Sequence, residues 1–294
     1  MISGCSGATL DVDFTPDLVV GRVALYIGGM TRWIPFLNRA PKVAVVRLSG
    51  VIATAGRGSL NDDGIAPILE RAFKRGKPAA VALLLNSPGG SPVQSSLIGA
   101  RIRRLAKEHS VPVYAFVEDV AASGGYWLAA AADEIWVDHS SIVGSIGVIS
   151  SSFGLEEFIG QHGIKRRVHT AGKSKSMLDP FQPEKAADVK RLKVLLEHIH
   201  DNFKEHVASR RGEKLDQGKD LFTGEIWVGQ QALNVGLVDG IGHLVPKMKE
   251  LYGEKVRFLR YGQKKSILQR FGARIVNDAL TGIEERAEYA RFGL

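Results

Sequence analysis

The chain has 294 residues, 45% of them hydrophobic, enough to bury a sizeable core. Its formal charge is +8, but 39 Lys and Arg are interleaved with 31 Asp and Glu, and no RNA-binding signature accompanies them. That argues against a nucleic-acid partner. The single cysteine, Cys5, excludes an intrachain disulfide and a cysteine-rich zinc site, and a disulfide-free chain fits a reducing, cytoplasmic compartment.

Residues 1–40 read as an irregular leader. The best membrane candidate, Leu18 to Met30, has 13 residues and carries Arg22, against the roughly 20 apolar residues a span needs. No transmembrane segment is expected, and Met30 is a second candidate start. From Lys42 the pattern alternates strand and helix. Val43–Leu48 is a valine-rich strand with Arg47 its one charge. Ile65 to Lys74 repeats apolar residues at helical spacing (Ile65, Ile68, Leu69, Ala72, Phe73) and ends at Gly76. Strand 80–85 follows, then a helix over 93–108 with Val93, Leu97, Ile98, Ile102 and Leu105 on its apolar face. Strand 111–117, a small helix after Ser123, and short strands at 135–137 and 144–148 complete this half. Alternation of this kind implies right-handed crossovers and a largely parallel sheet.

Pro183 and Glu184 open a long amphipathic helix, with Val189, Leu192, Leu196, Ile199, Phe203 and Val207 on one stripe. Phe222 to Gly229 and Ala232 to Gly242 return to short glycine-rich elements. The tail from Lys264 repeats apolar residues at helical spacing through Ile283. Residues 245–294 hold eleven Lys and Arg against six Asp and Glu, so this tail reads as a surface for a neighbouring protomer or anionic lipid. The plain alternative is a helix packed on its own domain.

Two loops carry the chemistry. Asn86-Ser87-Pro88-Gly89-Gly90 follows Val81 to Leu85, a run apolar on both faces, as in a buried strand. Ala122-Ser123-Gly124-Gly125-Tyr126 follows the next strand. Adjacent glycines after a strand bare backbone N–H groups and admit a substrate closely. One loop thus offers oxyanion donors (Gly89, Gly90, with Gly124) and the other a hydroxyl nucleophile, Ser123. An isolated Ser-Gly-Gly is an ordinary turn; the paired loop makes this one a candidate for acyl transfer. The base is open at this level. His139, His162 and His169 follow the serine, while His198, His200 and His206 lie on or near the long helix and read as packing or surface residues. No His-Glu-x-x-His occurs. Lys173 and Lys175 are the other candidates, since a lysine serves as base once its amine is held neutral by burial or cationic neighbours.

These motifs, together with Gly144-Ser-Ile-Gly-Val-Ile149, Gly172-Lys-Ser-Lys175 and the pattern from Thr223 through Trp227 to Gly242, resemble the signal peptide peptidase A/SohB-like serine peptidases of family S49. The likeness runs from about Lys42 to Leu244. It implies an α/β, ClpP/crotonase-type fold of repeated ββα units and a Ser–Lys dyad that needs neither metal nor organic cofactor. Carried over by position, Ser123 matches the nucleophile, Lys175 the general base, Ser145 the serine that orients the lysine amine, and Gly90 with Gly124 the oxyanion donors. Lys173 lies two residues away, so an extended segment would point both lysines to one face; the motif register selects Lys175.

The expected domains are a leader (1–40), a peptidase domain (41–245) and a basic C-terminal extension with an amphipathic helix (246–294). The expected activity is endopeptidase cleavage of extended apolar peptides, such as signal-peptide remnants or protein fragments, through an acyl-enzyme. The rivals are a crotonase-like acyl-CoA hydratase or isomerase and a catalytically dead scaffold of the same fold. The resemblance also implies that in double-length relatives the serine and lysine of one dyad come from different halves. A chain of half that length is therefore expected to form a homo-oligomeric ring, an octamer being one such assembly, in which one subunit's serine meets another's lysine. Peripheral contact at the inner membrane face is the other expected association.

Overall fold

The computed structural model describes residues 40–54, 59–172, 174–262 and 286–294. The leader, Lys173 and most of the predicted tail helix lie outside the described residues.

The first strand, β1 (Lys42–Ser49), alternates its side chains between two cores: Ala44, Val46 and Leu48 face one cluster, Val43 and Val45 the other. Burial on both faces is what a continuous apolar strand achieves at the centre of a parallel sheet. Arg47 escapes to the exposed surface and pairs with Glu118 at 2.7 Å. Helix α1 (Asp62–Lys74) starts at Asn61, whose side chain accepts from the Gly64 N–H, and buries all five apolar residues predicted for it. Pro67 inside this helix costs about 3 kcal/mol. Burying Ile65, Ile68, Leu69 and Phe73, at roughly 2 kcal/mol each, outweighs it.

Strand β2 (Ala80–Ser87) lies parallel to β1 with Ser49 opposite Asn86. Helix α2 (Pro92–His109) has Ser91 as N-cap and Pro92 at its first turn. It buries Ile98, Ile102 and Leu105, but Val93 and Leu97, predicted on the same face, are exposed. The first turn of α2 borders an open cavity instead of the core, and Ser95 takes the inward position.

Strand β3 (Val113–Ala122) divides its partners. Its first half pairs with β4 (Glu134–Val137), and its last three residues pair with β5 (Ile142–Gly144). Between the halves of this connection runs α3 (Gly124–Ala130), buried along its whole length. After α4 (Glu156–Gln161) comes the long helix α5 (Ala186–Arg211). Its predicted stripe is buried only at the C-terminal end, at Phe203 and Val207, where Phe203 and His206 stack on Trp127 of α3. Strand β6 (Ile226–Val228) runs antiparallel to β5 at one sheet edge, followed by α6 (Gly229–Asn234), β7 (Gly240–Ile241) beside β4, α7 (Leu244–Tyr252) and β8 (Arg257–Tyr261).

The sheet order is β6-β5-β3-β2-β1-β8, with β4 and β7 branching from β3. Alternation of strand and helix thus yields the expected α/β class, with parallel pairing throughout except at β6. Strand β8 lies parallel to β1, and Pro41–Leu294 group as one unit, because the sheet edge at β1 needs a strand from the C-terminal region.

Candidate active site

Both chemistry-bearing loops emerge at the C-terminal ends of the parallel strands, where α/β sheets place their ligands. The loop after β2 is stitched to the segment after β1. Gly50 N–H donates to Asn86 O (3.0 Å), Ile52 N–H to Gly89 O (2.7 Å) and Ser91 N–H to Ile52 O (2.7 Å). The buried Ser87 hydroxyl donates to Gly50 O at 2.7 Å and accepts from Gly89 N–H at 3.3 Å. Gly90 has φ +135°, and a Cβ there would collide with the Ile52 carbonyl, so only glycine fits.

Ser123 sits at the junction of β3 and α3 with φ +51° and ψ −121°, a conformation that L residues rarely adopt. Such strain, of order 1–3 kcal/mol, persists where surrounding structure over-determines it, and it is a feature of nucleophile turns between strand and helix. Here the over-determination comes from both sides. Ser123 N–H donates to Gly144 O (2.8 Å) and Ser123 O accepts from Trp127 N–H (3.0 Å). Tyr126, fully buried, anchors the same helix by donating to Leu237 O at 2.7 Å. Ser145 shares φ +51° and is pinned by its own N–H to Glu225 O at 2.7 Å.

Ser123, Ser145, Gly90 and Gly124 line one cavity of about 590 Å³. Among the described residues neither serine hydroxyl has a hydrogen-bond partner, and no bond engages the Gly90 or Gly124 N–H. The third glycine, Gly89, differs. Its N–H already serves Ser87 Oγ and its carbonyl serves Ile52, so it shapes the loop and leaves the free donors to Gly90 and Gly124. A Cβ on Gly89 would meet Ser123 Cβ and Gly124 N at 2.8 Å, which is how closely the two loops abut.

The cavity walls include Pro92 with Ser95 and Val148 with Ile149. Trp127, Ile199 and Phe203 are among the contributors not foreseen. The signal was present, since Ile199 and Phe203 belong to the predicted α5 stripe and Trp127 follows the Ser-Gly-Gly turn by one helical turn, but periodicity does not say that core and cavity share a wall. The histidines on α5 are packing residues. His206 Nε2 bonds Trp127 O at 3.0 Å while its ring stacks on the indole, and His200 Nε2 bonds Ile146 O at 3.1 Å. Burial holds the His206 pKa below the usual imidazole range, partly opposed by its bond to Trp127 O.

Lys175 stands apart. It is exposed on a turn in which its N–H donates to Gly172 O at 3.2 Å, and it does not line the cavity. The described residues of one chain therefore assemble the serine and free donors, with no lysine or histidine lining that space. No cluster with metal-ligand composition occurs among the described residues, and no described helix is long and apolar enough to cross a membrane.

An α/β sheet with a strained serine at a strand–helix junction, facing free glycine amides, defines a class of acyl-transfer sites. The model of peptidase family S49 matches residues 105–255, and the chain belongs to that family. It is 31% identical to a probable protease SohB of Haemophilus influenzae, over 81% of this chain and 66% of that one. It is 46% identical to a Brucella melitensis protein bearing the name Na(+)/H(+) antiporter NhaA, over 91% of this chain and 39% of that protein. The chain thus spans about two fifths of that relative. Among solved structures it resembles a membrane-bound stomatin-specific protease at 13% identity and a TM-score of 0.45, over 77% of this chain and all of the other.

Proposed function

We propose that the protein is a serine endopeptidase that cleaves extended apolar peptides through an acyl-enzyme on Ser123, with Lys175 as the base. The observation that carries the reading is the hydroxyl of the strained Ser123, without a partner among the described residues, sharing a cavity with the N–H groups of Gly90 and Gly124, which none of those residues engages. Ser123 Oγ attacks the scissile carbonyl carbon as its proton passes to the neutral Lys175 amine. The carbonyl oxygen becomes an oxyanion received by the two glycine amides, each such donor being worth roughly 10²–10³ in rate. Collapse breaks the C–N bond, and Lys175 returns the proton to the leaving amine. Water, deprotonated by the same lysine, then attacks the ester and releases the acid, restoring the Ser123 hydroxyl. Ser145 holds the lysine amine in line.

In this reading Lys175 reaches Ser123 from a second copy of the chain, in a closed head-to-tail ring. Two features support it. Lys175 is exposed and away from its own chain's cavity, and the segment leading to it exposes Ile149, Phe153, Phe158 and Ile164, a density of apolar surface that marks an interface. A ring would also enclose the sites and admit only extended chains. The test is a fluorophosphonate probe followed by peptide mapping, beside turnover of an apolar peptide. Labelling at Ser123 with turnover lost in Ser123→Ala is the expected result. Turnover undiminished in that variant places the nucleophile elsewhere, and a folded protein with neither label nor peptide turnover favours the acyl-CoA class of reaction.

A further inference from the structure

Among the described residues, those lining the Ser123 cavity are uncharged with two exceptions, Glu288 and Arg291, and both come from the far C-terminal region. Residues 286–290 form a helical turn, after which Phe292 also reaches the cavity. Tyr289 fixes this segment by donating its hydroxyl to Asn86 O at 2.8 Å. Asn86 opens the Ser87-to-Gly90 loop, so the anchor lies at the base of the oxyanion donors. Glu288 and Arg291 pair at 2.9 Å with about half of each side chain exposed, an arrangement that adds little to stability. The segment lines a space that stays open beside it.

Resting on the peptidase reading, we propose that residues 286–294 are a wall of the substrate cleft, and that Glu288 and Arg291 select the charge of the peptide side chains it accepts. The rest of the lining offers apolar surface and hydroxyls, which sort side chains by size and shape. A guanidinium and a carboxylate a few ångströms apart add discrimination by sign. An acidic peptide side chain is favoured at the position facing Arg291 and a basic one at the position facing Glu288, because each then meets an opposite charge as water leaves the cleft. The segment is thus a specificity element carried at a great distance in sequence from the loops it serves.

The test uses the full chain and a peptide series with one apolar core, in which Asp or Lys is placed at each position in turn. Wild type is compared with Glu288→Arg combined with Arg291→Glu, a swap that keeps the ion pair and the Tyr289 anchor. The expected result is a reversal, by about fivefold or more in the Asp-to-Lys ratio of kcat/KM, at the positions that face the segment. A ratio unchanged at every position overturns the proposal, as does an equal fall for all peptides, which is the mark of a purely structural segment. A chain ending at residue 285 that cleaves every peptide faster also overturns it, since the segment is then a plug. Binding of the same peptides to Ser123→Ala, read by fluorescence anisotropy, follows the charge preference independently of turnover. Failure of the peptidase reading therefore shows as peptides bound with the predicted bias and left uncut.

Discussion

The backbone N–H of Ser123 donates to the carbonyl of Gly144 at 2.8 Å. Gly144 is the last residue of β5 and is followed by Ser145, so this one bond ties the two strained serine turns together across the end of the sheet. Gly144 has φ +100° itself, and a Cβ there would press on Glu225 O and the Trp227 ring. Three residues of unusual backbone, the neighbours Gly144 and Ser145 and the bonded Ser123, therefore hold one another in place.

Strain at Ser123 predicts a split between activity and stability. Ser123→Ala and Ser123→Gly both lose turnover, the hydroxyl being absent. The glycine variant relieves the φ +51° penalty, offset in part by the greater freedom of glycine when unfolded. Its midpoint in chemical denaturation should exceed that of the alanine variant by a margin equivalent to about 1 kcal/mol. Equal midpoints would show that the turn is unstrained.

At Gly124 the obstacle to a side chain is another side chain. A Cβ there would collide with Ser95 Oγ, which is itself held by donating to Ser91 O at 2.9 Å, and would touch Ile52 Cδ1 at 3.2 Å. Gly124→Ala should lower kcat by roughly 10²-fold, as loss of an oxyanion donor does. Adding Ser95→Ala removes the nearest atom and should restore part of the rate. Steady-state kinetics on the two single variants and the double variant measure the coupling.

The proposed sharing of the site between subunits predicts complementation. Lys175→Ala should be as inactive as Ser123→Ala, because members of one catalytic unit are not additive. Lys173→Ala should keep most activity. Mixing the two inactive proteins under conditions that exchange subunits should restore part of the rate, since some interfaces then pair an intact serine with an intact lysine. Mixed oligomers that form and stay dead would place both groups in one chain.

Below the site, Asp239 joins three elements. It accepts from Arg211 Nη1 (2.6 Å), Lys214 Nζ (2.7 Å) and Ile135 N–H (2.8 Å), while the buried Arg211 also donates to Gly236 O. Burial pushes the Asp239 carboxyl up, but the hydrogen bonds from Arg211 and Lys214 outweigh it and leave the pKa below the usual range. A folded pKa below the unfolded value of about 3.9 stabilises fully above the unfolded value, and that contribution is lost as pH falls through the folded one. Asp239→Asn should cost about 3 kcal/mol near neutrality by leaving Arg211 buried without its anion. It should also flatten the fall in stability below about pH 4. Denaturant melts across pH 2–7 measure both effects.

Much of this protein is readable in its sequence because the signals are local. The α1 face was legible to the residue, since Ile65, Ile68, Leu69, Ala72 and Phe73 follow a helical period that the fold buries without exception. Strand–glycine–helix junctions at Asn86–Gly90 and Ser123–Tyr126 were legible because backbone freedom and N–H exposure are properties of the residues themselves. Val93 and Leu97 are exposed where the sequence places them on the core face, because periodicity reports an apolar side and not what stands opposite it.

By itself the sequence determined the alternation that makes a parallel sheet, the serine at a strand–helix junction and the glycines that leave amides bare. Tertiary structure alone decided that Gly89 spends its N–H on Ser87 while Gly90 and Gly124 keep theirs, that Lys175 does not line its own chain's cavity, and that residues 286–294 return to wall it. The division has one physical cause. Dihedral preference and hydrophobic period act between residues a few positions apart, whereas the partner of a given N–H, hydroxyl or charge is chosen by which distant segments the sheet brings to the same end of its strands.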